Sequence, residues 1–221
     1  MSEQKKRRAY SSALRQEQAQ ATRQKIATAA RELMIRKGYA DTTMAEVARE
    51  AGVAVQTLYT SCPGGKPALA KLVHDITLAG DARPTPQSDR PEVQAIIDEP
   101  DPVRKLALYA AMATAILRRV TPVHRVLRAA AAASPADTGL QDVLAGIERE
   151  RLRGSRGPAE HLHAIGVLRP GLPAARAAEQ IYVLTSTENF EKLTEVCGWS
   201  AAEYEEWLAT LLAAALLRPA T

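Results

Sequence analysis

The stretch from Thr43 to Tyr59 restricts the fold more than any other part of the sequence. Thr43 and Glu46 have the spacing of a capping box, in which each side chain bonds the other residue's backbone N–H and a helix begins. Ala48 is small enough to let two helices cross, and Gly52, four positions later, can adopt the positive φ of a tight turn. Apolar residues that can pin a second helix to the first are Val47, Ala51, Val53 and Leu58. The stretch predicts a helix-turn-helix rather than an ordinary helical hairpin.

The remaining sequence predicts helices and no convincing strand. Before the motif, apolar residues recur at i, i+3, i+4, i+7 and i+8, which marks one face of a helix; they are Ile26, Ala29, Ala30, Leu33 and Met34. The predicted helices cover residues 17–37, 44–51, 54–61, 66–79, 91–98, 102–120, 122–133, 135–164 with a break or kink at 154–158, 174–196 and 201–217. We therefore predict an all-α fold, with an N-terminal three-helix helix-turn-helix domain and a larger C-terminal helical domain.

Charge and composition divide the chain into an arm, a head and a body. Residues 1–15 are basic and lack apolar periodicity, which is typical of a flexible arm; the head is predicted over 16–62 and the body over 63–221, with the clearest linker at 80–90. The first 80 residues carry 13 Lys or Arg and 7 Asp or Glu, a net charge of +6, whereas the remainder carries 16 and 18, a net charge of −2. This asymmetry favours a polyanionic partner for the head.

The second helix of the motif has a face suited to reading base edges. If Val53 and Leu58 point inward, the residues that point outward are Ala54, Val55, Gln56, Tyr59 and Thr60. Gln56 can pair with an adenine edge through two hydrogen bonds, and Ala or Val can contact a thymine methyl group. We therefore expect this face to enter the major groove of double-stranded DNA, although a plain surface role for any single residue stays open.

A second set of residues is placed to contact the DNA backbone. Phosphate contacts position a protein on DNA without reading its sequence; the candidates are Thr43, Thr57, Tyr59 and Lys66. Arg7 and Arg8 could enter a minor groove, and a merely solvated tail is the alternative. For Thr43, the alternative is a helix cap without a role in binding.

The stretch "RQKIATAARELMIRKGYADTTMAEVAREAGVAVQTLY" resembles the head of the tetracycline-repressor (TetR) family of bacterial transcription regulators. The resemblance covers roughly residues 23–73, about a quarter of the chain. It implies an all-α homodimer that interacts through its last two long helices. It also implies that the body, residues 63–221, binds a small-molecule effector and forms the dimer, and that effector binding releases the protein from its operator.

Three features depart from the family's pattern. Ala54 stands where the family usually has Ser or Thr, so the recognition helix lacks a polar N-cap, a loss of roughly 0.5–2 kcal/mol of local support. Cys62 stands where an aromatic residue usually fills the core of the head, and one extra residue separates Tyr59 from Lys66. We expect the loop Pro63-Gly64-Gly65 to absorb these changes, with weaker or altered DNA contact at Lys66.

The chain carries no pattern that predicts catalysis, a cofactor or a metal site. His161 and His163 are two residues apart, as are Glu148 and Glu150, so each pair points to different sides of a helix. Cys62 and Cys197 are far apart and form no zinc motif, which favours free thiols in a reducing cytoplasm. We expect a cytoplasmic protein without a membrane-spanning segment that is not an enzyme.

The body offers candidate effector contacts. Apolar residues with a few polar groups on the middle helices and on the penultimate helix fit a small-molecule pocket; they are Tyr109, Met112, Ile116, His124, Tyr182, Ser186, Asn189 and Phe190. A core or interface role is the alternative for each. The apolar last helix favours a homodimer in a two-fold four-helix bundle.

Three alternatives to a ligand-responsive repressor stay open at the level of sequence. The first is a constitutive DNA-binding protein without an effector, and the second is a DNA-processing enzyme with a helix-turn-helix head. The third is redox control of DNA binding through Cys62.

Overall fold

The structure is a computed structural model that describes the backbone of residues 3–82 and 89–218 and the side chains from residue 15 onward. The helices are α1 Glu3–Lys37, α2 Met44–Glu50, α3 Val55–Ser61, α4 Gly65–Ala79, α5 Pro91–Asp98, α6 Pro102–Ala133, α7 Thr138–Gly154, α8 Arg156–Ala164, α9 Ala174–Leu184, α10 Thr187–Glu191 and α11 Ala201–Leu216, with a π-helical segment at Lys192–Val196. Within the described residues the β structure is a single isolated bridge between Leu168 and Leu217. The predicted all-α fold is confirmed.

The chain forms two compact units. The first, called the head unit below, comprises the described residues within Met1–Pro84 together with Arg125–Val143, and the second, called the body unit, comprises those within Thr85–His124 and Leu144–Thr221. The head unit is therefore larger than the predicted head over 16–62. It gains α4 and the corner between α6 and α7, and most of the predicted linker at 80–90 lies outside the described residues.

The apolar face predicted on the first helix forms the core of the head unit. Its five residues are at most 5% exposed: Ile26, Ala29, Ala30, Leu33 and Met34. α1 packs against α2 and α4, and α2 packs against α3. Leu58 of α3 and Leu69 of α4 are fully buried in this unit.

Two predicted helix boundaries are wrong in ways that have clear causes. α1 begins at Glu3 rather than Glu17, because extending an existing helix needs no new nucleus and residues 3–16 are rich in good helix formers. Thr121 and Pro122 do not start a new helix, since Pro122 lies inside α6. Proline in a helix interior costs about 3 kcal/mol, but Val120, Thr121 and Val123 are at most 3% exposed, and burial on both sides of the proline keeps the helix continuous.

The core of the body unit is built from the inner faces of α6, α8, α9 and α11. Its largest fully buried side chains are Leu162, Ile181, Tyr204, Leu208 and Leu212. Tyr204 and Phe190 meet edge to face, with ring centroids 4.9 Å apart, an arrangement that aromatic pairs favour. The capping box predicted at Ser200 and Glu203 is present at the start of α11.

The helix predicted over 174–196 is divided into three segments. Ser186 has extended backbone and its hydroxyl accepts from the Asn189 N–H at 3.2 Å, so a new helix begins there. The Asn189 side-chain amide donates to the Val183 carbonyl at 2.8 Å, and the Arg151 guanidinium donates to the carbonyls of Tyr182 and Thr185 at 3.2 and 3.0 Å. These side chains satisfy the carbonyls at the end of α9, which makes the break stable.

One described helix, α6, is long and apolar enough to cross a membrane. Its apolar window is 44% buried inside the protein. The buried core helix of a soluble protein passes the same test of length and composition, and Leu106, Ala110 and Leu117 of α6 do lie in the core of the body unit.

Candidate DNA-binding head

The start of α2 is fixed by a network of side chains. The Glu46 N–H donates to the Thr43 hydroxyl at 3.2 Å, and the Thr43 N–H donates to the Glu46 carboxylate at 3.0 Å. The Lys37 ammonium, at the end of α1, adds an ion pair of 2.6 Å to the same carboxylate. Hydrogen bonds from Lys37 and Thr43 lower the pKa of Glu46 from 4.5 to about 2. The predicted capping box is confirmed, and Lys37 ties it to α1.

The turn of the motif has the geometry that the sequence predicts. Gly52 has a φ of +65°, a value that L side chains rarely adopt. The Val53 N–H then donates to the Ala48 carbonyl at 2.9 Å. Ala48 is 1% exposed and Leu58 is fully buried, so α3 is held against α2 by one turn hydrogen bond and one large apolar anchor.

α3 turns the predicted reading face to solvent. The five residues predicted to point outward are exposed: Ala54, Val55, Gln56, Tyr59 and Thr60. Thr57, a predicted phosphate contact, is exposed as well. Val55 and Tyr59 are 44% and 46% exposed, which is high for apolar side chains of this size. Ala54 is the N-cap, with extended backbone and no side-chain hydrogen bond. The helix that would read bases is thus uncapped, and its surface is free for a partner.

Lys66 lies at the start of α4 and reaches back to the turn between α1 and α2. Its ammonium donates to the Ala40 carbonyl at 2.7 Å and lies 4.5 Å from the centroid of the Tyr39 ring. Burial lowers the pKa of Lys66, although the charge of Asp137 opposes this change. Lys66 is therefore positioned on the same turn that ends in Thr43, another predicted phosphate contact.

Cys62 fills the space at the end of α3. It is 1% exposed, and its N–H donates to the Leu58 carbonyl while its carbonyl accepts from the Gly65 N–H, both at 2.9 Å. Burial raises the pKa of the Cys62 thiol, which reduces the thiolate that oxidants attack. Gly65 has a φ of +67° and begins α4, one residue earlier than predicted. The Pro63-Gly64-Gly65 loop connects the two helices as expected, and the buried thiol gives no support to redox control.

For Arg7 and Arg8, the candidates on the predicted arm, the structure describes only the backbone. The backbone of Arg7 and Arg8 lies within α1. Their side chains lie outside the described residues. Their role in a minor groove stays a prediction.

The effector candidates near the end of α9 are engaged in the fold of the body unit. The Tyr182 hydroxyl donates to Glu148 at 2.6 Å, and the Arg151 guanidinium lies 4.9 Å from the Tyr182 ring centroid. Ser186 and Asn189 form the cap that begins α10, and Phe190 is 7% exposed. No sequence pattern indicates the role of Arg151, which holds α7 to the end of α9.

The candidates on α6 have different degrees of burial. His124 is 2% exposed, whereas Tyr109, Met112 and Ile116 are half-buried. Burial raises the pKa of Tyr109 to about 12. Thr114 and Thr121, which the sequence analysis missed, have buried hydroxyls without a hydrogen-bond partner. These residues give α6 a mixed apolar and polar surface, and a role in effector binding stays a prediction.

No group of three or more His, Cys, Asp or Glu residues that could hold a metal ion is found among the described residues. His161 and His163 lie on α8 with different exposure, and His161 is the more buried of the two.

The head matches a known family. Residues 26–62 match the family model of bacterial regulatory proteins of the tetR family. The resemblance recognised in the sequence is confirmed, and the match ends at Cys62, where the departures from the pattern begin.

Solved structures similar to about nine tenths of the chain include a TetR-family transcriptional regulator and a repressor. A TetR-family transcriptional regulator from Rhodococcus sp. is 16% identical, with a TM-score of 0.69, over 89% of this chain and 98% of that one. NalD, the secondary repressor of the MexAB-OprM multidrug efflux pump in Pseudomonas aeruginosa, is 19% identical, with a TM-score of 0.61, over 92% and 100% of the two chains. SmeT in complex with triclosan is 18% identical, with a TM-score of 0.65, over 90% and 93%. These likenesses establish the fold beyond the head.

No curated protein sequence is significantly similar to this chain.

Proposed function

We propose that this protein is a ligand-responsive transcriptional regulator that represses genes by binding a pseudo-palindromic DNA operator. The observation that carries the proposal is the exposed α3 surface on a tetR-family head. Six consecutive or near-consecutive residues face solvent there, while Leu58 anchors the helix from behind. An exposed second helix of this motif is the element that enters the major groove in helix-turn-helix proteins.

A homodimer would place two heads on successive major grooves. In dimers of this class the half-sites lie one helical turn, about 34–36 Å, apart. The last helix, α11, uses one face for the body core and leaves Trp207, Leu211 and Ala215 half-buried. These residues support the predicted dimer through the last two helices, in which a second copy would complete their burial.

The effector is proposed to bind in the body unit and to favour a dimer that fits the operator less well. NalD is a repressor and SmeT is seen with triclosan, so similar folds serve both parts of this proposal. The candidate contacts on α6 are Tyr109, Met112, Ile116 and His124, together with the buried hydroxyls of Thr114 and Thr121. A soluble, cytoplasmic location follows from binding chromosomal DNA.

The decisive experiment is binding of the purified protein to duplexes at low salt. A duplex carrying the protein's own promoter region should bind more tightly than a shuffled duplex of equal length and composition. Equal affinity for both would contradict a sequence-specific regulator.

Two single substitutions separate base reading from phosphate contact. Gln56→Ala should weaken binding to the promoter duplex but not to the shuffled one, since a good base pairing contributes about 1–3 kcal/mol of discrimination. Lys66→Ala should weaken binding to both duplexes and reduce the salt slope by about one unit. Identical effects of the two substitutions would overturn these roles.

A constitutive DNA-binding protein is the main alternative. An effector stabilises the state that it binds, by about 2.7 kcal/mol when its concentration is 100 times the Kd. A panel of small apolar compounds, triclosan included, should therefore contain one that raises the melting temperature and releases the promoter duplex. If compounds raise the melting temperature without releasing DNA, the constitutive alternative is preferred.

A further inference from the structure

Two groups of the α1–α2 turn hold the Lys66 ammonium. The ammonium donates a hydrogen bond to the Ala40 carbonyl at 2.7 Å, and it lies 4.5 Å from the centroid of the Tyr39 ring. Tyr39 is 5% exposed, so the ring is fixed by its surroundings. A lysine side chain is long and flexible, and ordering it on binding costs free energy. Holding the ammonium in advance lowers this cost for any contact that Lys66 makes.

The corner between α6 and α7 packs against the start of α4, next to Lys66. Its Asp137 carboxylate accepts from the Leu140 N–H at 3.0 Å and so begins α7. A Cβ added to Gly139 would lie 2.9 Å from Cγ of Pro67, the residue that follows Lys66. Burial raises the pKa of Tyr39 and lowers that of Lys66; the negative charge of Asp137 adds to the first change and partly offsets the second. Asp137, in the α6–α7 corner, is therefore close enough to influence Lys66, which is predicted to contact DNA.

We propose that Tyr39 and Asp137 are positioning residues for Lys66 in DNA binding. The Tyr39 ring and the Ala40 carbonyl fix the ammonium at the α1–α2 turn, and its remaining N–H groups would bond a backbone phosphate. Asp137 carries a charge of the same sign as the phosphate, so it limits how strongly this site attracts DNA. This inference rests on the proposed function, because it concerns how strongly the head binds DNA.

The first test removes the ring while keeping an apolar side chain. Tyr39→Leu and the matched control Tyr39→Phe are made both in the natural chain and in Lys66→Ala, and their affinities for the promoter and shuffled duplexes are measured. Tyr39→Leu should weaken binding about three- to tenfold on both duplexes, because the Lys66 ammonium must then be ordered when DNA binds. Tyr39→Phe should stay within about twofold, because the ring is retained. The effect of Tyr39→Leu should vanish in the Lys66→Ala background.

The second test removes the charge of Asp137 but keeps its cap, since Asn caps helices about as well as Asp. Asp137→Asn should tighten binding about two- to threefold, because it removes a negative charge whose effect water and salt partly screen. The matched control is Asp142→Asn on α7, the helix that Asp137 precedes, which makes the same change in charge at an exposed position. It should change binding less, and the effect of Asp137→Asn should shrink in Lys66→Ala.

The outcomes separate this inference from the proposed function. If the natural chain does not prefer its promoter duplex, the proposed function fails. If it does, an equal effect of Asp137→Asn and Asp142→Asn, or an undiminished effect of Tyr39→Leu in Lys66→Ala, overturns the inference. Melting temperatures identify variants that fold poorly, and if Tyr39→Leu does not fold, the Asp137 comparison decides alone.

Discussion

The two helices of the helix-turn-helix are held in opposite ways. α2 begins with two reciprocal hydrogen bonds between Thr43 and Glu46 and an ion pair from Lys37. α3 begins at Ala54 with no side-chain cap and depends on the burial of Leu58 and on the turn bond from Val53 to Ala48. Hydrogen bonds and an ion pair at its start therefore help to position α2. The buried side chain of Leu58 holds α3, the helix that is proposed to read bases. The Gln56 side chain on the outer face of α3 is therefore exposed to a partner, while the Thr60 hydroxyl donates to the Gln56 carbonyl at 2.9 Å.

The largest expected effect comes from removing the anchor of α3. Leu58→Ala should lower the free energy of unfolding by about 2–5 kcal/mol, because Leu58 is fully buried and its loss leaves a cavity. Chemical denaturation measures this change. Val55→Ala is the matched control on the exposed face and should change stability by less than about 0.5 kcal/mol. A small effect of Leu58→Ala would mean that packing does not hold α3.

The next effect concerns the cap of α2. Thr43→Ala should cost about 1 kcal/mol, since the Glu46 N–H loses its acceptor. Thr43→Ser keeps the hydroxyl and should stay within a few tenths of a kcal/mol. Thermal unfolding at neutral pH distinguishes the two variants, and equal loss in both would assign the effect to the methyl group rather than to the cap.

A smaller and opposite effect is expected from supplying the cap that α3 lacks. Ala54 already has the extended backbone of an N-cap, with φ −66° and ψ 144°. Ala54→Ser should therefore raise the free energy of unfolding by about 0.5–1 kcal/mol. The same change at Ala129, an exposed position inside α6, should be slightly destabilising, since Ser is a poorer helix former than Ala. A destabilising Ala54→Ser would show that the uncapped start is required by the surrounding fold.

The smallest effect is a dependence of stability on pH. The pKa of Glu46 falls from 4.5 to about 2 in the folded protein, so its ion pair and cap stabilise the fold above pH 4.5, and this contribution is lost as the pH falls from 4.5 towards 2. In Glu46→Gln the loss of stability over that range should be smaller than in the natural chain. Glu50→Gln, on the same helix, should leave the acid transition unchanged.

The sequence predicted the parts of the fold that depend on local chemistry. Capping boxes at Thr43 and Ser200, and the turn at Gly52, are set by neighbouring residues, so their spacing alone locates them. It failed where distant residues decide, as at Pro122, where buried neighbours keep α6 continuous. It also failed at the end of α9, where Arg151 comes from another helix to bind free carbonyls.

The same distinction between local chemistry and distant contacts applies to the candidate site. The outward face of α3 follows from helical periodicity once Leu58 is buried. The position of Lys66 does not, because its partners Ala40 and Tyr39 precede it by more than 20 residues. Asp137 is farther still in sequence, and only the packing of Gly139 near Pro67 reveals its place in the head unit. Contacts between distant segments have no spacing rule from which to predict them.

The different burial of the two thiols makes local unfolding of the head unit measurable by chemical modification. Cys197 is exposed, whereas Cys62 is buried beneath the end of α3. A thiol-reactive reagent in excess should modify Cys197 at once and Cys62 only during the moments when α3 lifts from the core. The rate of the second modification therefore reports the free energy of local unfolding. It does so at a helix that begins without a side-chain cap.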